Sequence, residues 1–351
     1  MKHLRRRDFI RTTMLGGLVA ATGIPNVFGK SNLVESSKTS RVALTYGNHR
    51  AELAFQALKP FAAKVKRQIG QKRVVIKPNN VMIDRPLTST HVDTLEGILE
   101  FLASIGKTEN VVIAESAANG PSFDGFANYG YLRLVEKYKI KLVDLDQEEV
   151  EIMHVFNEND FRPHPVRMSK LMLDPDSYII SAARMKTHDR VVATLSLKNI
   201  VFGAPIKDKG FRWGPGRREG AKNDKPVAHG GGYRGINYNI FTLAKYLHPH
   251  LSLIDGFEGM EGDGPNSGTP VDHRICVAGL DWLAADRVAL ASMGIDFSKV
   301  GYLNYCYEAG MGEANLAKID LVGARLEDHT RTYQLNKNID KQLVWKDSGK
   351  E

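Results

Sequence analysis

Val74-Val75-Ile76-Lys77-Pro78-Asn79-Asn80 is a short β-branched run that stops on an amine and two amides. Three other segments repeat the construction. Val111-Val112-Ile113-Ala114 runs into Glu115-Ser116, and Tyr178-Ile179-Ile180-Ser181 is soon followed by Arg184, Lys186 and His188. Leu251-Ser252-Leu253-Ile254 opens onto Asp255-Gly256-Phe257-Glu258-Gly259-Met260-Glu261-Gly262-Asp263-Gly264-Pro265. Packing alone does not explain apolar strands that end repeatedly in charge, because withdrawing an unpaired charge from water costs several kcal/mol. In open α/β sheets ligands bind beyond the carboxyl ends of the strands, so these endings are expected to meet one another, a ligand, or both.

Working outward, β-rich runs recur at 42–46, 140–143, 275–278 and 319–322, with helical patterns between them. Leu95, Ile98, Leu99 and Leu102 repeat at i, i+3, i+4 and i+7 behind Thr90, a candidate cap. Further helices are predicted over 51–68, 126–138, 236–246, 282–293 and 299–310, with Asp281 and Asp286 as cap and first-turn residues of their helix. This alternation predicts an α/β fold, a central mostly parallel or mixed sheet flanked by helices in Rossmann-like layering. Residues 205–235 depart from the rhythm, with eight glycines and eight basic residues against three acidic ones, and with Phe211 and Trp213 among them. Loops of that length are usually functional or mobile. The segment reads as a long basic Gly-rich insertion, either a flap over an anionic ligand, with Arg212 as a candidate contact, or a solvated surface loop.

The chain has 351 residues, 42% hydrophobic and 25% charged, enough for one large domain or two moderate ones. Its formal charge of +8 includes a net +4 from residues 1–29, so the remaining +4 does not argue for a nucleic-acid partner. The two cysteines, Cys276 and Cys306, exclude a four-cysteine zinc or iron–sulfur site within one chain. They read either as a disulfide or as inert buried thiols.

Arg5-Arg6-Arg7-Asp8-Phe9-Ile10-Arg11 precedes an uncharged, mildly apolar run over 12–24 and then Pro25. A basic head, a short apolar middle and a turn make a twin-arginine export signal. The run is shorter than the roughly 20 apolar residues that a spanning helix needs, so no permanent membrane span is expected. Val27-Phe28-Gly29 is the nearest candidate cleavage site. The expected organisation is a signal peptide over 1–29, a single α/β domain over 41–325 and a polar C-terminal tail over 326–351. The expected location is periplasmic or otherwise extracytoplasmic, with the twin-arginine translocase as a partner.

Lys186 and His188 lie two apart, and on an extended segment they share a face, as an anion clamp or an acid/base pair would. Lys198-Asn199 places an amine and an amide at the end of an apolar, helix-like run. Lys77, Asn79, Asn80, Ser116 and Asn199 are candidate ligand contacts. The carboxylates of Asp255, Glu258, Glu261 and Asp263, set among glycines, suit oxygen coordination of Mg²⁺ or Ca²⁺ outside the EF-hand order. Glu115, Asp255 and Glu261 are the candidate metal ligands. No Gly-x-Ser-x-Gly elbow, phosphate loop or His-Glu-x-x-His motif is present.

These blocks, with Phe202-Gly203 and Gly268, resemble the domain-of-unknown-function family number 362 from about residue 74 to 322. Some members of that family carry ferredoxin-type cysteine clusters. This chain has none, so an electron-transfer role does not carry over, and an iron–sulfur cofactor is not expected.

The expected function is an exported protein that binds or acts on a small anionic molecule, a phosphate or carboxylate, with a divalent cation in one version. As an enzyme it would use Lys186, Lys198 and Lys77 to neutralise charge and His188 as acid/base. A non-enzymatic periplasmic accessory protein, its charges forming a structural ion-pair network, is the main alternative. An isomerase or racemase working through paired lysine and histidine bases is a third. Charged blocks converging on one open cleft favour ligand chemistry; separate closed pairs favour the network.

The export reading gives the first test. Arg6→Lys combined with Arg7→Lys is expected to leave precursor in the cytoplasm on cell fractionation, because the targeting machinery reads the guanidinium pair. Normal export of that double variant would remove the assignment.

Overall fold

The computed structural model describes residues 40–347, and the signal expected over 1–29 lies outside the described residues. Its strands are β1 (Ser40–Tyr46), β2 (Arg73–Lys77), β3 (Val111–Glu115), β4 (Lys141–Asp144), β5 (Val150–Asn157), β6 (Arg162–Ser169), β7 (Ser177–His188), β8 (Val192–Thr194), β9 (Leu251–Glu261), β10 (Thr269–Gly279) and β11 (Ile319–Gly323). One mixed sheet runs β11-β1-β10-β9-β7-β2-β3-β4, with β8 paired to β7, while β5 and β6 form a separate hairpin. β2 is parallel to both β3 and β7, Val75 lying opposite Val112 and Ile179. β7 is parallel to β9, and β10 runs antiparallel between β9 and β1.

Chain order reverses between β2 and β7. From β2 the sheet grows through β3 and β4 to one side, and from β7 through β9 to the other. Such a switch point leaves a crevice beyond the carboxyl ends, which neither crossover covers.

The sheet separates two apolar layers. Val75, Ile179, Ala183, Ile254 and Val277 face one, and Val74, Ile76, Ile180, Leu253 and Ala278 face the other. The predicted stripe Leu95, Ile98, Leu99 and Leu102 is buried in the second layer. Cys276 and Cys306 are buried and unbonded, and they belong to opposite layers. The sheet therefore stands between them.

Several elements differ from the sequence expectation for local reasons. The helix expected over 51–68 is Arg50–Leu58 and Ala62–Ile69, divided by a tighter turn over Lys59–Phe61 that contains Pro60, whose ring removes a backbone donor. That expected over 126–138 is Ser122–Asn128 and Leu132–Tyr138, interrupted where Gly130 takes φ 76°. His91, not Thr90, caps Val92–Ser104, through Asp93 N–H. Thr90 Oγ1 instead accepts from Asn79 N and donates to Ala182 O. β7 continues past Ser181 to His188 with every residue buried. Its charged residues obscured that continuation in the sequence. The β5–β6 hairpin is not legible in sequence because Pro163 and Pro165 interrupt β6 and only Val155 of β5 is buried.

The basic insertion is fastened to β6 by Arg167, which bonds Asp224 through Nε and Nη2 and Asp208 through Nη1. Phe211 is buried beneath the Arg217 guanidinium, whose carbon lies 4.8 Å from the ring centroid. This anchoring brings the short helix Lys225–Ala228 and His229 back to the sheet. Beyond β11, the segment expected as a polar tail packs on the domain as far as it is described: Tyr333 and Gln342 are buried, and Gln342 Oε1 accepts from Val192 N. No described helix is long and apolar enough to cross a membrane.

Candidate functional site at the strand switch point

Lys77 closes β2 and Glu115 closes β3, and both side chains are almost wholly withdrawn from water. Lys77 Nζ donates to Glu115 Oε1 at 2.7 Å and to Pro78 O at 2.8 Å. The glutamate also accepts Ser116 N–H and Asn80 N–H, each at 2.8 Å. One ion pair thus shapes both strand-end loops. Burial lowers the Lys77 amine from its ordinary value, and Glu115 opposes that fall. Gly203 passes so close that a Cβ there would collide with Lys77 and with the Asn199 carbonyl.

The helix Ser196–Val201 supplies the next layer. Asn199 Nδ2 donates to Lys77 O at 3.2 Å and to Ser181 Oγ at 3.0 Å, while Asn199 Oδ1 accepts from Asn79 Nδ2 at 3.1 Å. Asp286 was expected to serve its own helix but caps this one, accepting Ser196 N–H at 2.7 Å and Leu197 N–H at 3.1 Å. Burial raises that carboxyl to about 7.

A cavity of about 220 Å³ opens over these groups, lined among others by Lys77, Asn80, His188, Thr194, Lys198 and His229. It is open to solvent and has room for a small molecule. Asn79 Oδ1, Asn80 Nδ2 and Thr194 Oγ1 are buried without a hydrogen-bond partner among the described residues, and all three residues line this cavity. An unsatisfied buried polar atom costs about 1–3 kcal/mol, so three in one cavity mark where a ligand's polar atoms would fit.

The two histidines are held in complementary states. His188 Nδ1 accepts Arg190 N–H at 3.0 Å, which places its proton on Nε2. Asp189 Oδ1 also approaches Nδ1, at 3.2 Å, but burial, then the charge of Lys198, hold the ring's pKa well below its ordinary value, so it stays neutral. His229 Nδ1 donates to Lys225 O at 2.6 Å, which leaves Nε2 with a lone pair. Burial and the Lys198 charge take His229 to about 3. Lys198 itself is drawn to about 8 by burial, against the pull of Asp189 and with the aid of Lys77. Burial takes Lys225 to about 7, against Asp146 and Glu115. The cavity therefore presents donors, a neutral base and amines poised to gain charge.

The family model described as a domain of unknown function (DUF362) matches residues 74–291. The chain belongs to the DUF362 family. Among curated proteins it is 25% identical over 226 residues to the thylakoid-associated protein sll1697 of Synechocystis, a match covering 64% of each chain. The DUF362 chain thus spans less than two thirds of that relative's length. A crystal structure of a Thermotoga maritima protein overlaps 62% of this chain and 53% of its own at 12% identity with a TM-score of 0.37.

In this DUF362 protein the expected ligand residues Lys77, Asn79, Asn80, Ser116, His188, Lys198 and Asn199 share the cavity. Lys186 lies apart from the lining and donates to Thr88 O at 2.7 Å. Burial, then Lys198 and Arg184, keep its amine well below the ordinary value. Arg212 does not reach the cavity either. The candidate metal trio is not brought together: Glu115 pairs with Lys77, Asp255 accepts from Thr94 Oγ1 at 2.7 Å, and Glu261 accepts from Gln334 N at 2.8 Å. β9 shifts register against β7 between Asp255 and Met260, and each of the three carboxylates is engaged by a different partner. Among the described residues no three His, Cys, Asp or Glu side chains are grouped to hold a metal ion. Thr194, Lys225 and His229 were not expected from sequence. The signal for His229 was the Gly230-Gly231-Gly232 run after it, which Asn239, Asn159 and Glu158 crowd too closely for side chains.

The depressed lysine has a measurable consequence for stability. Its folded value near 8 lies below the ordinary 10.5. Between those pH values the unfolded chain binds a proton that the folded chain lacks, so stability rises with pH across the window and the penalty is complete below it. Lys198→Met is expected to stabilise the fold at pH 7 by about 1–3 kcal/mol and to flatten the rise above pH 8 in urea unfolding series. A destabilised variant with an unchanged pH slope would contradict the assignment.

Proposed function

We propose that this DUF362 protein binds a small anionic molecule, a phosphate or carboxylate, in the switch-point cavity, and that it is exported by the twin-arginine route. The observation that carries the binding reading is Lys198. Its amine lines the cavity with no carboxylate within 4.0 Å among the described residues, alongside the orphaned Asn80 Nδ2 and Thr194 Oγ1. Those two groups and His188 Nε2 are donors suited to anionic oxygens. An anion would also restore charge to Lys198 and Lys225, removing part of the cost of burying them. The export reading rests on the order Arg5-Arg6-Arg7-Asp8-Phe9.

The ion-pair network alternative is favoured by closed pairs such as Lys77 with Glu115 and Arg184 with Glu258. It leaves Lys198 and the orphaned atoms without a role, so the ligand reading is preferred.

Binding stabilises a fold by mass action, by about 2.7 kcal/mol at a hundred times the dissociation constant. Phosphate or malonate is therefore expected to raise the melting temperature of the wild type at constant ionic strength. Lys198→Met should lose most of that rise, whereas Lys341→Ala, an exposed site, should keep it. An equal response in all three proteins would indicate general screening and overturn the pocket.

A further inference from the structure

Among the described residues five lysines are buried: Lys77, Lys186, Lys198, Lys207 and Lys225. Four of them donate to oxygen. Lys77 reaches Glu115 and Pro78 O, Lys186 reaches Thr88 O, Lys207 pairs with Asp146, and Lys225 donates to Gly203 O at 3.2 Å and Pro205 O at 2.6 Å. Each of those amines is held in place by at least one oxygen acceptor. Lys198 differs: it has no hydrogen-bond acceptor among the described residues, and its Nζ sits 5.5 Å from the centroid of the Phe202 ring.

A protonated ammonium has three donors and no lone pair. In the cavity wall with no protein acceptor, beside the cation Lys77, that form is disfavoured, and the free-amine fraction at neutral pH exceeds that of an exposed lysine. Desolvation next to another cation is how lysine is made nucleophilic toward carbonyl compounds. The rest of the cavity suits the same chemistry. Asn80 Nδ2 and Thr194 Oγ1 are donors for an acid group, His188 Nε2 is a donor for a developing oxygen charge, and His229 Nε2 offers a lone pair for proton transfer.

Building on the anion-binding reading, we propose that Lys198 forms an imine with a small oxo acid, a carboxylate or phosphate that also carries an aldehyde or ketone. The Lys198 lone pair attacks the carbonyl carbon, and a C–N bond forms as the C=O π pair moves onto oxygen. The two nitrogen protons pass to that oxygen, one of them by way of His229 Nε2. The C–O bond then breaks, water leaves and C=N closes. The sum is amine plus carbonyl giving imine plus water, with no change of oxidation state. The cavity of about 220 Å³ has room for a compound of a few carbons.

The test is reductive trapping. Purified full-length protein is incubated at pH 7 with glyoxylate or pyruvate and sodium cyanoborohydride, then digested and mapped by mass spectrometry. Lys198 is expected to carry the reduced adduct at least about tenfold above any exposed lysine, from its larger neutral fraction. Lys198→Arg, which keeps a cation and is checked for folding by circular dichroism, should lose that adduct while exposed lysines keep their background. Labelling spread over exposed lysines in the wild type, with Lys198 unmodified, overturns the imine whatever the variant does. Malonate, which has no reactive carbonyl, separates the two readings. A Lys198-dependent thermal shift with malonate but no trapping leaves the anion site standing and removes the covalent step. Failure of both removes the site.

Discussion

A lysine and a glutamate closing adjacent parallel strands meet 2.7 Å apart out of reach of water. Such a pair stabilises a fold only when its remaining hydrogen-bonding capacity is filled, because withdrawing two charges from water costs several kcal/mol per ion. Here it is filled by backbone: Pro78 O takes a proton of Lys77, and Glu115 takes the N–H groups of Ser116 and Asn80. The pair therefore fixes where the chain goes after β2 and after β3. Asn79 and Asn80 are aimed by it, and Asn199 and Gly203 pack on it from the opposite half of the sheet. The switch point between β2 and β7 would be a crevice in any fold of this topology. The ion pair gives this one a polar floor.

Around that floor the protein retains groups that make it less stable than it could be. Lys198 and Lys225 are brought to about 8 and about 7 by burial, and His229 to about 3. Each is a charge suppressed by its surroundings and recoverable by a ligand of opposite sign. Asp286 belongs to the same design one layer out, its buried carboxylate capping the short helix that carries Lys198 and Asn199. Perturbed groups that share an open cavity point to a functional site more strongly than perturbed groups paired in closed contacts.

Much of this was legible in the sequence. Apolar runs ending at Lys77, at Glu115 and near His188 announced both the parallel strands and the polar site at their ends, and the stripe from Leu95 to Leu102 announced a helix packed on a sheet. The charged residues within β7 and β9 disguise their length, because in sequence a strand buried on both sides reads as ending where its charges begin. Arg184 is nevertheless interior, held by Ser89 O and Glu258. The acidic run from Asp255 suggests a metal cage by its density in sequence, but partner choice is not visible there: Glu115 goes to Lys77, Asp255 to Thr94 and Glu261 to Gln334 N–H. Lys225 and His229 were not legible because they reach the cavity through the folded insertion, whose placement depends on Arg167 gripping Asp208 and Asp224 across more than forty positions of chain.

The central claim is that the cavity's suppressed cations are completed by an anion. Completion requires protons, since an anion beside Lys198 and Lys225 raises both amines toward their ordinary values. Calorimetric titration of phosphate at pH 8, repeated in buffers of different ionisation enthalpy, counts protons taken up per anion bound. Net uptake is expected, shrinking as the pH falls to 6, where both lysines already hold their protons, and reduced in Lys198→Met. Binding with the same heat in every buffer, or with release of protons at pH 8, would contradict it.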